Sequence, residues 1–355
     1  MGNRSGSREP AHELRTKNPE RGTCPPPPPY RCGERAPHGM APHSSGKLRE
    51  TLARSESLEE VSMVFVDGHY YAYRSFYAIA SLTNSKGEPT NAAYGFASAL
   101  LRMVEDLHPT RGAVIFDGGI PAERLATHPE YKANRKETPE ALEKQFPLLR
   151  EVASALGWPV ISVEEEEADD VIASYVRAAQ AQDCVVATND KDLMVLVDQG
   201  CRIYQPQSQG FVLLGPPEVE TKWGVPAEKV PELLALTGDA SDNFPGVPGV
   251  GPKTAAKWIR QYGSAENVLA AATTLEPERL RPILQESTGI VRRNRKMVEL
   301  RTQVPLPIPV ADLVLQPDPA RQVDLFRKLE FKRFTREAEA RLASLGPKQA
   351  DLFGA

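Results

Sequence analysis

Four apolar, strand-like segments of this chain each lead into an acidic residue. The segments span residues 61–66, 113–116, 159–163 and 184–188, and the acids are Asp67, Asp117, Glu167 and Asp190. Helical patterns near 92–107, 139–156 and 168–181 separate the strands. This alternation predicts an α/β fold with a mostly parallel central sheet covered on both faces. Because the carboxyl ends of parallel strands meet at one edge of such a sheet, the sequence predicts that these acids lie close together.

Further acidic residues accompany these four. Asp169 and Asp170 open a helix and Asp192 follows the fourth strand, while Asp239 and Asp242 lie at the start of the helical lobe that contains a glycine hairpin. Any single pair, such as Asp169 and Asp170, is better explained as a helix cap. Capping does not explain why four successive strands all end in acid. Clustered carboxylates repel one another unless a cation offsets the repulsion, and an all-oxygen ligand set favours Mg²⁺ or Mn²⁺. Two such ions together can promote phosphodiester cleavage.

A glycine hairpin follows this acidic region and opens a helix that is predicted near 253–262. It runs from Gly246 to Gly251, includes Gly249, and is followed by Lys253, Thr254 and Lys257. Glycines allow close approach of the backbone to a phosphate, and a helix N-terminus favours an anion. The hairpin therefore predicts a contact with duplex DNA that is insensitive to base sequence.

The interval after Asp117 is rich in cations. It carries Arg124, Lys132 and Arg135, with Tyr131 among them. The same composition also fits a solvated loop. Beside a metal site, however, such cations can hold the scissile phosphate and an aromatic ring can stack on a base.

The composition of the chain indicates how its domains are arranged. Residues 1–58 are rich in Pro, Gly, Ser and Arg and predict a disordered tail, either functional or an artefact of start-site assignment. Residues 61–230 are predicted to form the α/β core, and 231–345 a helical lobe whose last helix lies near 326–345. Residues 346–355 are predicted to form a flexible end. The net charge of −4 allows a local basic track beside an acidic site. No apolar run has the length of a membrane span, so a cytoplasmic protein is expected.

Several stretches resemble the 5′ nucleases, the family of flap endonucleases and of the 5′→3′ exonuclease domain of bacterial DNA polymerase I. The matching stretches span residues 66–74, 94–96, 116–117, 131–135, 167–170, 188–193 and 236–251, in order along the chain. The resemblance implies a helical arch over the site and a helix–three-turn–helix lobe. It also implies removal of 5′ flaps and RNA primers in DNA replication and repair. The expected protein is a stand-alone bacterial nuclease, monomeric and associated with the nucleoid.

The resemblance also assigns roles to residues. It implies that Asp67, Asp117, Glu167 and Asp169 hold a first metal ion. The second ion would be held by Asp190, Asp192 and Asp242, with Asp169 between the two ions and Asp239 nearby. Asp170 is a further candidate metal ligand. Arg124 and Lys132 would meet the scissile phosphate, while the hairpin would hold DNA and a K⁺ through backbone carbonyls. Because the acidic set is complete, catalytic activity is expected.

The end of the chain resembles the short peptide with which bacterial replication proteins bind the sliding clamp. Gln349, Leu352 and Phe353 carry this resemblance, although a plain tail is the alternative. Two other functions stay open at this point. One is a nuclease of the wider PIN-like class that acts on RNA, and the other is a non-catalytic binder of DNA junctions. The order of preference among flaps, nicks, gaps and primers is not encoded in these motifs.

Overall fold

The fold is that of a computed structural model, which describes residues 61–180, 183–208 and 210–345. The predicted N-terminal tail and the predicted clamp-binding peptide at Gln349, Leu352 and Phe353 lie outside the described residues. None of the helices in the described part of the chain is long and apolar enough to span a bilayer.

A six-stranded sheet forms the centre of the fold. Its strand order is β3-β2-β1-β4-β5-β6, and every neighbouring pair is parallel except β5 with β6. The strands are β1 (Met63–Asp67), β2 (Arg111–Ile115), β3 (Val160–Ile161), β4 (Cys184–Ala187), β5 (Cys201–Pro206) and β6 (Phe211–Leu214). A mostly parallel central sheet, as predicted, is thereby confirmed.

Helices cover both faces of this sheet. In the first part of the chain these are α1 (Gly68–Ala78), α2 (Asn91–Leu107), α3 (Ala122–Thr127), α4 (Glu140–Glu143), α5 (Phe146–Ala155), α6 (Ala168–Ala178) and α7 (Pro216–Trp223). In the second part they are α8 (Val230–Thr237), α9 (Pro252–Tyr262), α10 (Ala265–Ala270), α11 (Arg281–Glu286), α12 (Thr288–Met297), α13 (Pro319–Lys328) and α14 (Lys332–Ser344). Four 3₁₀ helices complete the set, at Asp192–Gln199, Ala227–Lys229, Glu278–Leu280 and Val310–Asp312.

Successive side chains of a strand point to opposite faces of the sheet, so the hydrophobic core consists of two layers, one on each face. Phe65 and Ile115 face one layer, while Val64, Val66 and Val114 face the other. All five are completely buried, as expected for strands covered on both faces. Rigid burial of the strands fixes the positions of the acidic residues at their carboxyl ends.

Two helices predicted as continuous are broken in the structure. The pattern at 139–156 forms α4 and α5, and Pro147 stands at the start of α5, where its missing N–H is tolerated. The pattern at 326–345 forms the end of α13 and then α14, with Glu330 between them at a φ of 61°. Helix periodicity persists across both breaks, which is why the sequence pattern did not reveal them.

A second, two-stranded sheet carries part of the acidic set. It consists of β7 (Gly238–Asp239) and antiparallel β8 (Phe244–Pro245), which lie between α8 and the hairpin. One hydrophobic core cluster contains Val171 of α6 together with Leu234 of α8 and Ile259 of α9. The domain boundary predicted at residue 230 stays a prediction.

Candidate metal centre and nucleic-acid interface

The predicted acids are positioned by the ends of strands and by helix starts. Asp67 is the last residue of β1, Asp117 stands two residues beyond β2, and Asp190 stands three residues beyond β4. Glu167 is the N-cap residue of α6, and Asp169 lies in its first turn. Because β2, β1 and β4 are parallel neighbours, these side chains meet at one edge of the sheet.

Burial and mutual repulsion raise the pKa values of the carboxylates at this edge. Burial, together with the charges of Asp117 and Asp190, raises the pKa of Asp67 from 3.8 to about 7. Burial and the charges of Asp190 and Asp67 raise the pKa of Asp169 well above its ordinary value. A carboxylate that is hard to ionise in the metal-free protein gains most from a bound cation.

A second group of carboxylates lies beside the first. Asp192, Asp239 and Asp242 each place an oxygen so that all three atoms lie within 4.8 Å of one another. The Oδ1 of Asp192 is buried and has no hydrogen-bond partner among the described residues. Burial and the charge of Asp190 raise the pKa of Asp192 well above its ordinary value. An unpartnered, buried carboxylate oxygen facing other carboxylates fits a divalent cation.

Hydrogen bonds from uncharged groups orient Asp67 and Asp117, two of the carboxylates at the strand ends. Asp67 accepts hydrogen bonds from the Tyr70 amide at 2.9 Å and from the Thr188 hydroxyl at 3.0 Å. Asp117 accepts from the Ala168 amide at 2.8 Å, while its own amide donates to His69 Nδ1 at 3.1 Å. Sequence reasoning missed Thr188 and His69 because only the folded chain shows which side chains face the acids.

His69 also belongs to this edge. Its Nδ1 lies 3.1 Å from the Asp117 amide nitrogen, which donates to it, and 3.2 Å from Asp117 Oδ2. Burial lowers the pKa of His69 below its ordinary value. The ring also lies against Phe146, with centroids 4.8 Å apart, so aromatic packing fixes its orientation.

The cations of the arch segment, residues 118–139, contact the same carboxylates. Both Arg124 and Lys132 form ion pairs with Glu167, which is only 2% exposed. Arg135 donates to Asp242 at 2.5 Å. From outside the arch, Lys191 donates to Asp239 at 2.5 Å, and although burial opposes the effect, this lysine holds the Asp239 pKa below its ordinary value.

Two predicted residues are placed differently from the sequence interpretation. Tyr131 is only 6% exposed, and its hydroxyl lies within hydrogen-bond distance of Glu167 and Asp242. Its ring is therefore buried in this structure, and its role in stacking on a base stays a prediction. Asp170 points to Arg124, at 2.9 Å, and accepts from the Arg301 amide at 2.9 Å. Its contacts orient Arg124, and its role as a metal ligand stays a prediction.

The glycine hairpin forms a turn that leads directly into α9. Val247 and Val250 bury their side chains in the core, and the Val247 amide donates to Leu236 at 2.8 Å. Gly249 has a φ of +77°, which favours glycine. Gly251 is the N-cap residue of α9 and is exposed.

Basic side chains line the exposed face that follows the hairpin. Lys253 and Lys257 are exposed and lie one helical turn apart on α9, while Thr254 is half-buried. Neither lysine forms an ion pair with another residue in the described ranges. Free cations beside a helix N-terminus form a surface suited to phosphate groups.

Family models match the chain over most of its described length. The 5′-3′ exonuclease, N-terminal resolvase-like domain matches residues 62–224, and the 5′-3′ exonuclease, C-terminal SAM fold matches residues 225–321. The chain belongs to the 5′-3′ exonuclease family. The family predicted from the sequence motifs is confirmed. The prediction that the chain belongs to a family of nucleases is confirmed with it.

Relatives of this exonuclease family member include bacterial DNA polymerases. The chain is 39% identical over 290 residues to DNA polymerase I of Rhizobium leguminosarum. It is 36% identical over 284 residues to DNA polymerase I of Bacillus caldotenax. Each match covers 78% of this chain, but only 28% and 32% of the respective polymerase. The chain thus spans less than a third of the length of either relative.

Solved structures share the fold of this exonuclease family member. T5 5′-exonuclease with bound zinc superimposes with a TM-score of 0.58 and 22% identity, covering 79% of this chain and 98% of that one. The catalytic core of Rad2 in complex with DNA substrate gives a TM-score of 0.55 and 19% identity, covering 81% and 94%. At these identities the likeness establishes the fold alone, and the predicted fold class is confirmed.

Proposed function

We propose that this chain is a structure-specific 5′→3′ exonuclease and flap endonuclease that hydrolyses phosphodiesters in DNA and RNA primers with two divalent metal ions. The observation that carries the proposal is the crowding of buried carboxylates at one sheet edge, where Asp67, Asp169, Asp190 and Asp192 all have raised pKa values. Desolvation is the largest cause in each case. Such an arrangement is unfavourable by itself and becomes favourable with bound cations.

The donor set fits Mg²⁺ or Mn²⁺. Asp67, Asp117, Glu167 and Asp169 would hold a first ion, and Asp190, Asp192 and Asp242 a second one, with Asp239 beside it. All the donors are carboxylate oxygens, and the unpartnered Oδ1 of Asp192 lies within this set. A bound ion of this kind lowers the pKa of a coordinated water and offsets negative charge on a phosphate.

The residues of the chain supply the remaining functions. Thr188 and the Tyr70 amide orient Asp67, while the Ala168 amide orients Asp117. Arg124 is held by Asp170 and reaches Glu167, which places its guanidinium beside the carboxylates. In the proposal, Arg124 and Lys132 turn from Glu167 to the scissile phosphate when metal ions neutralise the acids.

The hairpin and α9 are proposed to hold the duplex. Gly246, Gly249 and Gly251 would let backbone groups approach the phosphates, with Lys253, Thr254 and Lys257 beside them. A K⁺ bound by hairpin carbonyls would add positive charge. T5 flap endonuclease and Rad2, which share the fold, have been crystallised with DNA, and that supports DNA as the ligand.

Other partners follow from the sequence alone. The clamp-binding peptide at Gln349, Leu352 and Phe353 remains a proposal, as do the monomeric state and the association with the nucleoid. Leu352 and Phe353, two adjacent apolar side chains, would anchor in a hydrophobic pocket of a partner.

Cleavage of a 5′-labelled flap duplex tests the proposal. We expect cleavage near the junction with Mg²⁺, none with EDTA, and a rate more than about 100-fold lower for Asp190→Asn. Asp198→Asn is the matched control, because Asp198 is an exposed acid outside the sheet edge and its removal leaves the rate unchanged.

Three outcomes would contradict the proposal in different ways. Tight junction binding without cleavage would indicate a non-catalytic DNA-junction binder. Equal cleavage of single-stranded RNA that lacks a junction would indicate a nuclease of the PIN-like class that acts on RNA. Cleavage that persists in EDTA would remove the metal ions from the mechanism.

A further inference from the structure

Asn243 adopts a backbone conformation that needs support. It follows Asp242 directly and has a φ of +61°, in the left-handed region. Asn tolerates this region better than most residues, yet the conformation is still less favourable than the right-handed one. A strained residue beside a functional carboxylate persists only where neighbouring groups hold it.

Residues of the arch segment hold Asn243 on two sides. His128 Nε2 lies 2.9 Å from the Asn243 carbonyl oxygen, and the Asn243 side-chain amide donates to the Glu130 carbonyl at 2.7 Å. Because a carbonyl oxygen only accepts, His128 Nε2 must carry the hydrogen. His128 is 7% exposed, so water competes little for this hydrogen bond.

Two more contacts tie the arch to the same loop. The acidic loop, defined here as residues 239–243, contains both Asp239 and Asp242. The Lys132 amide donates to the Asp242 carbonyl at 3.1 Å, and the Asn134 side chain donates to the Ala240 carbonyl at 2.8 Å. None of the four contacts uses a carboxylate oxygen, so they are made in addition to the ion pairs of Asp239 and Asp242.

We propose that His128 is a positioning residue for the metal centre. Its hydrogen bond to the Asn243 carbonyl fixes the acidic loop in the conformation that places the Asp239 and Asp242 oxygens together with Asp192. Groups that orient metal ligands in this way typically change metal affinity about 10–100-fold when they are removed. This inference rests on the proposed function, because it assumes that the acidic loop binds metal.

A second consequence follows from the same contacts. Since the loop and the arch share these hydrogen bonds, an ion that orders the acidic loop also orders residues 128–134. The main chain that carries Lys132 is thereby set before a nucleic acid arrives. His128 thus links the metal centre to the segment that is proposed to contact the phosphate.

Calorimetric titration with Mn²⁺ alone, without nucleic acid, tests the inference. His128→Phe keeps a ring and removes the donor, and we expect about tenfold weaker Mn²⁺ binding. His128→Gln restores an N–H donor of similar reach, so we expect it to recover most of the lost affinity. Tyr175→Phe is the control, because it removes another bond from a side chain to a carbonyl, from Tyr175 to Ile308 at 2.9 Å.

The outcomes separate this inference from the proposed function. Failure of the wild-type protein to bind Mn²⁺ would overturn both. Equal Mn²⁺ binding by wild type and His128→Phe, with only the melting temperature lowered as in Tyr175→Phe, would overturn the role of His128 alone. If His128→Phe does not fold, His128→Ala serves instead. It removes the donor to the Asn243 carbonyl without adding a bulkier side chain, so unchanged affinity would again overturn the inference.

Discussion

At the scale of single residues, Lys132 lies where charge on a phosphate would be stabilised. Its ammonium group pairs with the buried Glu167 and stands 5.0 Å from the Tyr131 ring centroid. In the proposed reaction this cation acts on the scissile phosphate after metal ions neutralise Glu167. We expect Lys132→Ala to lower the single-turnover rate about 100-fold while changing the affinity for a flap duplex far less.

Lys136→Ala is the matched control for this experiment. Lys136 lies in the same arch segment, is exposed, and forms no ion pair within the described ranges. We expect it to change the single-turnover rate little. An unchanged rate for Lys132→Ala as well would remove Lys132 from the chemistry, whereas equal losses in both variants would indicate a general electrostatic effect.

The sequence predicts which residue types gather but not how they pair. Acids at the ends of β1, β2 and β4 follow from strand periodicity and parallel topology. The contact of Tyr131 with Asp242 joins residues 111 positions apart. Such a pairing depends on how the arch folds over the sheet, and local patterns do not contain that information. For the same reason His69, Thr188 and His128 were not assigned to the site from the sequence, although His69 and Thr188 lie in stretches that resemble the 5′ nucleases.

At the scale of elements, the conformation of the hairpin requires that the backbone at Gly246 lies close to the backbone at Thr237. A Cβ atom added to Gly246 would overlap the carbonyl group of Thr237, at the end of α8. By contrast, a Cβ atom added to Gly251 would meet no atom within 4 Å, and the φ of Gly251 is −93°. The two glycines therefore have different structural roles, although the motif contains both.

This difference predicts opposite results for two alanine substitutions. We expect Gly246→Ala to lower the free energy of unfolding by about 2 kcal/mol or more, because backbone must shift. We expect Gly251→Ala to change it by less than about 0.5 kcal/mol. Urea denaturation of both variants measures the difference, and equal stabilities would show that the approach of Gly246 to Thr237 is not required.

Helices with a strong periodic pattern of apolar residues were predicted well. Strands and helices with a weak pattern of this kind were not predicted. The predicted helices at 92–107 and 253–262 match α2 and α9 to within one residue. Strands β5 and β6 were not predicted. They form the edge of the sheet, where burial is incomplete and the apolar alternation is weak. Helix α1 was also missed, because its polar and aromatic residues give only a weak periodic pattern.

At the scale of the whole molecule, the acidic edge links stability to pH and to metal. The pKa of Asp67 is raised from 3.8 to about 7 by burial and by its acidic neighbours, so the folded protein retains a proton that the unfolded chain has lost. The stability gained from this proton is complete below about pH 4 and is lost as the pH rises through about 7. Asp169 and Asp192 shift in the same direction.

We therefore expect the metal-free protein to melt at a lower temperature near pH 8 than near pH 6, by about 2–4 °C for each kcal/mol lost. Excess Mg²⁺ should raise the melting temperature more at the higher pH, because cations bind the ionised carboxylates. Asp67→Asn is the control: it removes one titrating group and should flatten the pH dependence in EDTA. Calorimetry at both pH values measures these changes. A melting temperature in EDTA that rises with pH over this interval would contradict the electrostatic account of the site.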